Sequence, residues 1–267
     1  MGAFQLYLIY TRASIRMQMA YPASFLMLTL TQFVVTIIEF FGLYLLFARF
    51  GRLEAWSLGE VAFFHALVAI MFAIADTITR GFDVFGPEFV KTGNFDRLLL
   101  RPRAAWLQLF GHEFRMTRIG RLVQGVIVLM IGAHMLHYEW TPQAAALALF
   151  AIVGGVALFS GLLILQATMS FWTVESLEIM NTLTYGGVEA AQVPMSVYAR
   201  WFRDFLTYIV PLACVSYFPV LAMLGKSHLE GMSARVAMLT PIFGFVFFGF
   251  ALFVWGFGVR RYTSTGS

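Results

Sequence analysis

Between Arg235 and Arg260 the chain runs for 24 residues, Val236 to Val259, without one charged side chain. A helix of about 20 apolar residues spans the hydrocarbon core of a bilayer, which is about 30 Å thick. Lipid offers no partner to backbone N–H and C=O groups, so such a stretch has to satisfy them internally, as a helix. Arg260 and Arg261 stop it at the far end. This segment commits the chain to a membrane, and composition shows that the rest of the chain belongs there too. Of 267 residues, 60% are apolar and 12% charged, and the mean hydropathy is +0.79. A soluble domain carries about 25% charged residues and needs them for its surface.

Four more stretches read as spans: about Pro22 to Phe47, interrupted by Glu39; Leu58 to Ile78, carrying His65 and Asp76; Leu122 to Leu136, extended backward by a helix bearing Arg115, Arg118 and Arg121; and Ala144 to Trp172, after the polar turn His137-Tyr138-Glu139-Trp140-Thr141-Pro142. One further crossing has two possible positions. It is either Phe205 to Leu224, apolar but broken by Pro211 and Pro219, or Val174 to Val193, which carries Glu175, Glu178 and Glu189. In the second reading residues 194–224 become a re-entrant hairpin dipping in from outside, tolerated only where protein or water covers the broken backbone. Both readings predict an all-α integral membrane protein of six transmembrane helices, a single domain over residues 1–267.

Lys and Arg concentrate on the cytoplasmic side of membrane proteins. With both termini inside, that side holds 12 of the 18: Arg12, Arg16, Arg80, Lys91, Arg97, Arg101, Arg103, Arg115, Arg118, Arg121, Arg260 and Arg261. The outer side holds four, Arg49, Arg52, Lys226 and Arg235, while Arg200 and Arg203 follow the undecided crossing. The net charge of +4 then points to anionic lipid headgroups, not nucleic acid, as the partner of a chain this apolar. The expected location is the plasma (inner) membrane. The first span is expected to act as its own uncleaved insertion signal, since no small-residue cleavage site follows a short apolar core. The single cysteine, Cys214, excludes an intrachain disulfide. Residues 1–21 form either an interfacial helix, with Phe4, Leu8, Ile15 and Met19 on one face and Arg12 and Arg16 one turn apart, or an ordinary basic flank.

The stretch Gly81 to Arg103, within a cytoplasmic loop over residues 79–105, mixes Phe82, Phe85, Phe89 and Phe95 with charges of both signs. It is too apolar for a solvated linker and too charged to span. It suits a short helix docked on a cytoplasmic partner or at the interface, or a loop packing its aromatics against its own bundle. Within it, Thr92-Gly93-Asn94-Phe95-Asp96-Arg97-Leu98-Leu99-Leu100-Arg101-Pro102 resembles the G-x-x-D-x-L-L-x-R-P signature of ABC-2 type permeases, closest to a six-helix subfamily once classed as a domain of unknown function. Val193-Pro194-Met195-Ser196-Val197-Tyr198 and Val210-Pro211-Leu212-Ala213 with Tyr217-Phe218-Pro219 resemble that group's later proline elements, except that Val193 stands where an aromatic is usual. The resemblance implies the transmembrane subunit of an ATP-binding cassette exporter, with a second permease, identical or homologous, and separate ATPase subunits that bind the ATP and magnesium. It assigns ATPase coupling to about Phe82–Arg103, with Phe89, Gly93, Asp96, Arg97, Arg101 and Pro102 as the contact residues. It favours the re-entrant hairpin, with Pro194, Tyr198, Pro211 and Pro219 as its external element.

Other motifs weigh less. Gly225-Lys226-Ser227 reads as the tail of a P-loop, but Val220 stands where the first glycine belongs and no strand precedes it. The chain is therefore not expected to be the motor, nor to hold a cofactor. His112-Glu113 opens a zinc-protease pattern that Met116 breaks, and His134 and His137 with Glu139 read as a polar loop before a metal site. Glu175 and Glu178 share a helical face without a His or Cys nearby. Intramembrane charge marks a functional site by default, so Glu39 either faces a translocation path or pairs with a polar group such as His65, or else sits nearer the external interface beside Arg49. Asp76 and Arg80 are spaced to pair at the inner boundary. The alternative to a permease is a stand-alone secondary transporter or a membrane-embedded enzyme, for which an inverted repeat or a mid-membrane polar cluster would be expected.

Overall fold

Pro22 occupies the first turn of the first long helix, where its missing N–H costs nothing. Gly51, at φ 76°, ends that helix with its N–H on Phe47 O. Ser57 and Glu60 form a capping box at the start of the next, the Glu60 carboxylate accepting from the Ser57 N–H at 2.9 Å. Thr141 caps another, its hydroxyl accepting from the Ala144 N–H at 3.1 Å, with Pro142 following. In this computed structural model, which describes residues 3–53, 55–173 and 177–263, the helices in chain order are α1 Ala3–Met19, α2 Pro22–Phe50, α3 Leu58–Ile78, α4 Arg80–Asp83, α5 Asn94–Leu99, α6 Ala105–His112, α7 Ile119–Met135, α8 Pro142–Met169, α9 Leu177–Ala191, α10 Arg200–Asp204, α11 Leu212–Val215, α12 Tyr217–Met223, α13 Ala234–Leu239 and α14 Ile242–Arg261. Glu175 and the side chains of Phe4, Leu8 and Glu178 lie outside the described residues.

The core forms around α3, most of whose residues are buried, whereas α2 is largely exposed and packs mainly on α7 and the turn before it. Close approaches set the order of packing. Gly132 and Gly125 of α7 lie against Ala62 and Ala66 of α3, and Gly120 lies against Thr29 O of α2. Gly154 and Gly244 let α8 and α14 cross so tightly that a Cβ on Gly244 would collide with Gly154 O.

Among the described residues, five segments are long and apolar enough to cross a membrane: α2, α3, Met116–Met135, α8 and Ala234–Arg261. The last was predicted as one helix, but Pro241 divides it into α13 and α14, since proline supplies no N–H to the ladder. The arginine-bearing extension of the third span is not helical throughout. Glu113 and Arg115 are extended, and Met116–Arg118 is a single 3-10 turn. The cause lies in α1, where Ser14 and Gln18, one turn apart, take the backbone groups a helix would use. Ser14 Oγ accepts from Phe114 N–H at 3.1 Å, and Gln18 Oε1 accepts from Met116 N–H at 3.0 Å.

A sixth crossing would be the pair Arg200–Ile209 and Leu212–Met223, bent by 73° at Val210-Pro211. Both ends of this broken element meet the same residue. Ser196, just before it, accepts from the Trp56 indole at 2.9 Å; Lys226, just after it, lies 4.7 Å from the Trp56 ring and 2.6 Å from Glu60. Between them the chain reaches Val215, which touches the Gly154–Gly244 crossing. The helix α9 lies within the other predicted position, Val174 to Val193.

Candidate coupling face and a buried polar cluster

The loop between α3 and α7 is built in two layers. Its aromatics are rooted in the bundle. Phe82, Phe85 and Phe95 are fully buried, and the Phe85 ring centroid lies 5.0 Å from those of Phe95 and Trp255 and 5.3 Å from that of Phe171. Tyr262 closes the cluster on Phe95 at 5.0 Å. Edge-to-face pairs at these spacings contribute about 0.5–1.5 kcal/mol each beyond area burial. Of the two sequence readings, packing against the chain's own bundle thus holds for the rings.

The charges and the helix tip form the other layer. Arg97, Arg101 and Pro102 are exposed, and Leu100 is 85% exposed beside them. Gly93, at φ 69°, turns the chain from the π-helical turn Gly86–Val90 into α5, a conformation that side-chain-bearing residues rarely adopt. A groove of about 480 Å³ runs between that turn, α5 and the end of α6, lined among others by Glu88, Phe89, Arg97, Arg101 and His112. Phe89 is buried on the groove's floor against the His112 ring at 4.8 Å, and Asp96 is half-buried in the first turn of α5.

Two side chains missed by the sequence reading hold this face in place. Buried Gln108 donates to Leu98 O and Arg103 O, both at 3.1 Å. Tyr10 of α1 accepts from Arg101 at 3.0 Å. Neither carries a local signal, because each acts across a long sequence separation or on backbone alone.

Behind the loop lies an ionic knot. The carboxylate of Asp76 meets Arg118 at 2.5 Å and Arg80 at 3.8 Å, and Arg80 also pairs with Asp83. Burial alone would lower the Arg80 pKa, but Asp83 and then Asp76 outweigh it and raise it above the ordinary guanidinium value. Gln166 of α8 donates to Asp83 at 3.1 Å and to Asn181 of α9 at 2.8 Å, while Arg118 donates to Gln32 of α2 at 2.7 Å. The predicted Asp76–Arg80 pair therefore exists as part of a network joining four long helices.

Glu39 does not pair with His65. It faces Arg121 at 3.9 Å, and Arg121 also meets Glu189 of α9 at 3.7 Å and stacks its guanidinium 5.3 Å from the Phe72 ring centroid. His65 is buried, 3.3 Å from Gln124 and beside the Phe40 ring. Arg121, counted in the sequence as a cytoplasmic flank, extends inside the bundle because the two carboxylates and an aromatic face await it there.

At the opposite end of the molecule, Pro194 precedes a 3-10 turn, Tyr198 donates to Ala190 O at 3.2 Å, Pro211 marks the 73° break, and Pro219 sits buried in the first turn of α12. In the Gly225-Lys226-Ser227 run, Glu60 and Trp56 hold Lys226. His134 and His137 rings lie 6.3 Å apart, and no cluster of three or more His, Cys, Asp or Glu able to share a metal ion exists among the described residues.

A family model described as "ABC-2 family transporter protein" matches residues 33–266. The chain belongs to the ABC-2 transporter family. It is a multi-pass plasma-membrane protein and the permease component of an ABC transporter, and permeases of this family work with a cytoplasmic ABC ATPase. No curated protein or solved structure compared with the permease gave a match. Of the first motif that carried the resemblance, Thr92, Asn94, Arg97, Leu98 and Arg101 line the groove.

Proposed function

We propose that the permease is the membrane half of an ATP-driven exporter whose ATPase docks on the rim formed by Glu88, Arg97, Leu100, Arg101 and Pro102. The observation that carries this reading is the split character of the loop. Its aromatic root is buried against α8 and α14, so the exposed charged rim is not needed for folding and is firmly tied to two spans. An ATPase that binds ATP and magnesium pushes this rim on closing, and the network around Asp76 passes the displacement to α2, α3, α7 and α8. A second permease, identical or homologous, completes the transporter. Both termini and the loop lie in the cytoplasm, and residues 194–224 form a re-entrant hairpin from the other side. That hairpin reading is supported by the meeting of Ser196 and Lys226 at Trp56. The translocation path runs past Glu39, Arg121 and Glu189, with His65 behind them, since charge at this depth needs water or protein beside it.

The test reverses charge on the rim. Asp96→Lys with Arg97→Glu is expected to insert normally but to lower the ATPase stimulation of the purified complex. Unchanged stimulation would overturn the docking assignment.

A further inference from the structure

The broken element 200–223 borders two adjoining cavities of opposite character, one closed by the last span and the other by Glu230. One, of about 530 Å³, is apolar and lies between Pro211, Cys214 and Phe218 on one wall and Phe243, Phe247 and Phe250 on the other. The second, of about 230 Å³, is lined by Arg200, Arg203, Asp204 and Glu230. They share Thr207, Tyr208 and Phe218, so they form one continuous site with a charged end and an apolar body.

The charged end has guanidinium capacity to spare. Arg203 faces Glu230 at 3.7 Å, but Glu230 already accepts from the Tyr217 hydroxyl at 2.9 Å. Arg200 is 89% exposed and lies 4.0 Å from Asp204, a pairing worth little in solvent. Two such guanidinium forks suit a phosphodiester, which accepts charge-assisted, bidentate hydrogen bonds. The apolar end opens sideways onto the face of α14 that carries exposed Val246 and Phe250, where a hydrocarbon chain enters without leaving the bilayer.

We infer that this paired cavity binds a membrane phospholipid, its phosphodiester on Arg200 and Arg203 and one acyl chain along the groove between Pro211 and Phe250. The inference rests on residues 200–223 lying at membrane depth. It is independent of sidedness and of ATPase docking.

The test uses the whole complex in nanodiscs containing a phospholipid with a photoactivatable diazirine on its acyl chain, with cross-linked peptides mapped by mass spectrometry. Labelling should concentrate on Thr207–Phe218 and on Val236–Phe250. It should fall about fivefold or more in Arg200→Gln/Arg203→Gln, while labelling of the exposed face of α2 stays constant. Arg200→Gln alone, at an exposed position, should lower labelling in the same direction and guards against loss of fold through the Glu230 pair. Labelling spread evenly over the groove and α2, or unmoved by either variant, would overturn the site. Labelled α14 with an unlabelled 200–223 segment would overturn instead the placement of that segment in the membrane.

Discussion

Asp76 shows how few polar groups this permease can bury without cost. Its side chain is 1% exposed, and its charge is held by Arg118 and Arg80. Removing one partner of such a buried pair leaves the other uncompensated, at a cost of about 3–5 kcal/mol. Arg118→Gln is therefore expected to lower the apparent Tm of the purified permease sharply. Asp76→Asn combined with Arg118→Gln should lower it less than the sum of the two single changes. Equal, additive losses in thermal unfolding would show that the two charges do not depend on each other. Arg121 offers a second case. It counters two carboxylates from different helices, so Arg121→Met is expected to lower the apparent Tm of the purified permease more than Arg49→Met, measured by thermal unfolding.

At the scale of elements, the helices are held apart by single atoms. Gly244→Ala sets a methyl against the backbone oxygen of Gly154, which cannot rotate away, whereas Gly249 has nothing within 4 Å of an added Cβ. Overpacking costs about 1–3 kcal/mol, so Gly244→Ala should destabilise the permease while Gly249→Ala leaves its melting unchanged. The latch of α1 on residues 113–116 is similarly specific: Ser14→Ala with Gln18→Ala should speed hydrogen exchange in Glu113–Arg118 and leave α8 as it was. The long apolar spans were legible in the sequence because lipid imposes a simple length rule, and the caps Pro22 and Thr141-Pro142 marked their starts. The break at Pro241 sits inside a stretch with no charge to announce it. The unwound Glu113–Arg115 segment depends on Ser14 and Gln18, about a hundred positions away. The reach of Arg121 into the bundle depends on where α2 and α9 bring Glu39 and Glu189. Periodicity describes one helix at a time, and these features belong to pairs. Around the groove the signature residues were legible; the supports, Tyr10 and Gln108, were not.

At the scale of the whole molecule, the charge asymmetry makes a plain prediction. In a Cys214→Ser background, Leu229→Cys should react with an impermeant maleimide on intact cells, while Leu100→Cys should react only after permeabilisation. The reverse pattern would invert the topology. The aromatic root of the loop carries a mechanical consequence. Rings packed edge to face from Phe82 to Tyr262 resist compression, so the loop, α8 and α14 behave as one stiff arm. Compliance must then lie elsewhere, and α2, the span least embraced by the rest, is where it is available. On the docking proposed above, the loop would be the short end of a lever with the Asp76 knot as fulcrum, and a small stroke at Arg97 would become a larger sweep at the far end of the bundle.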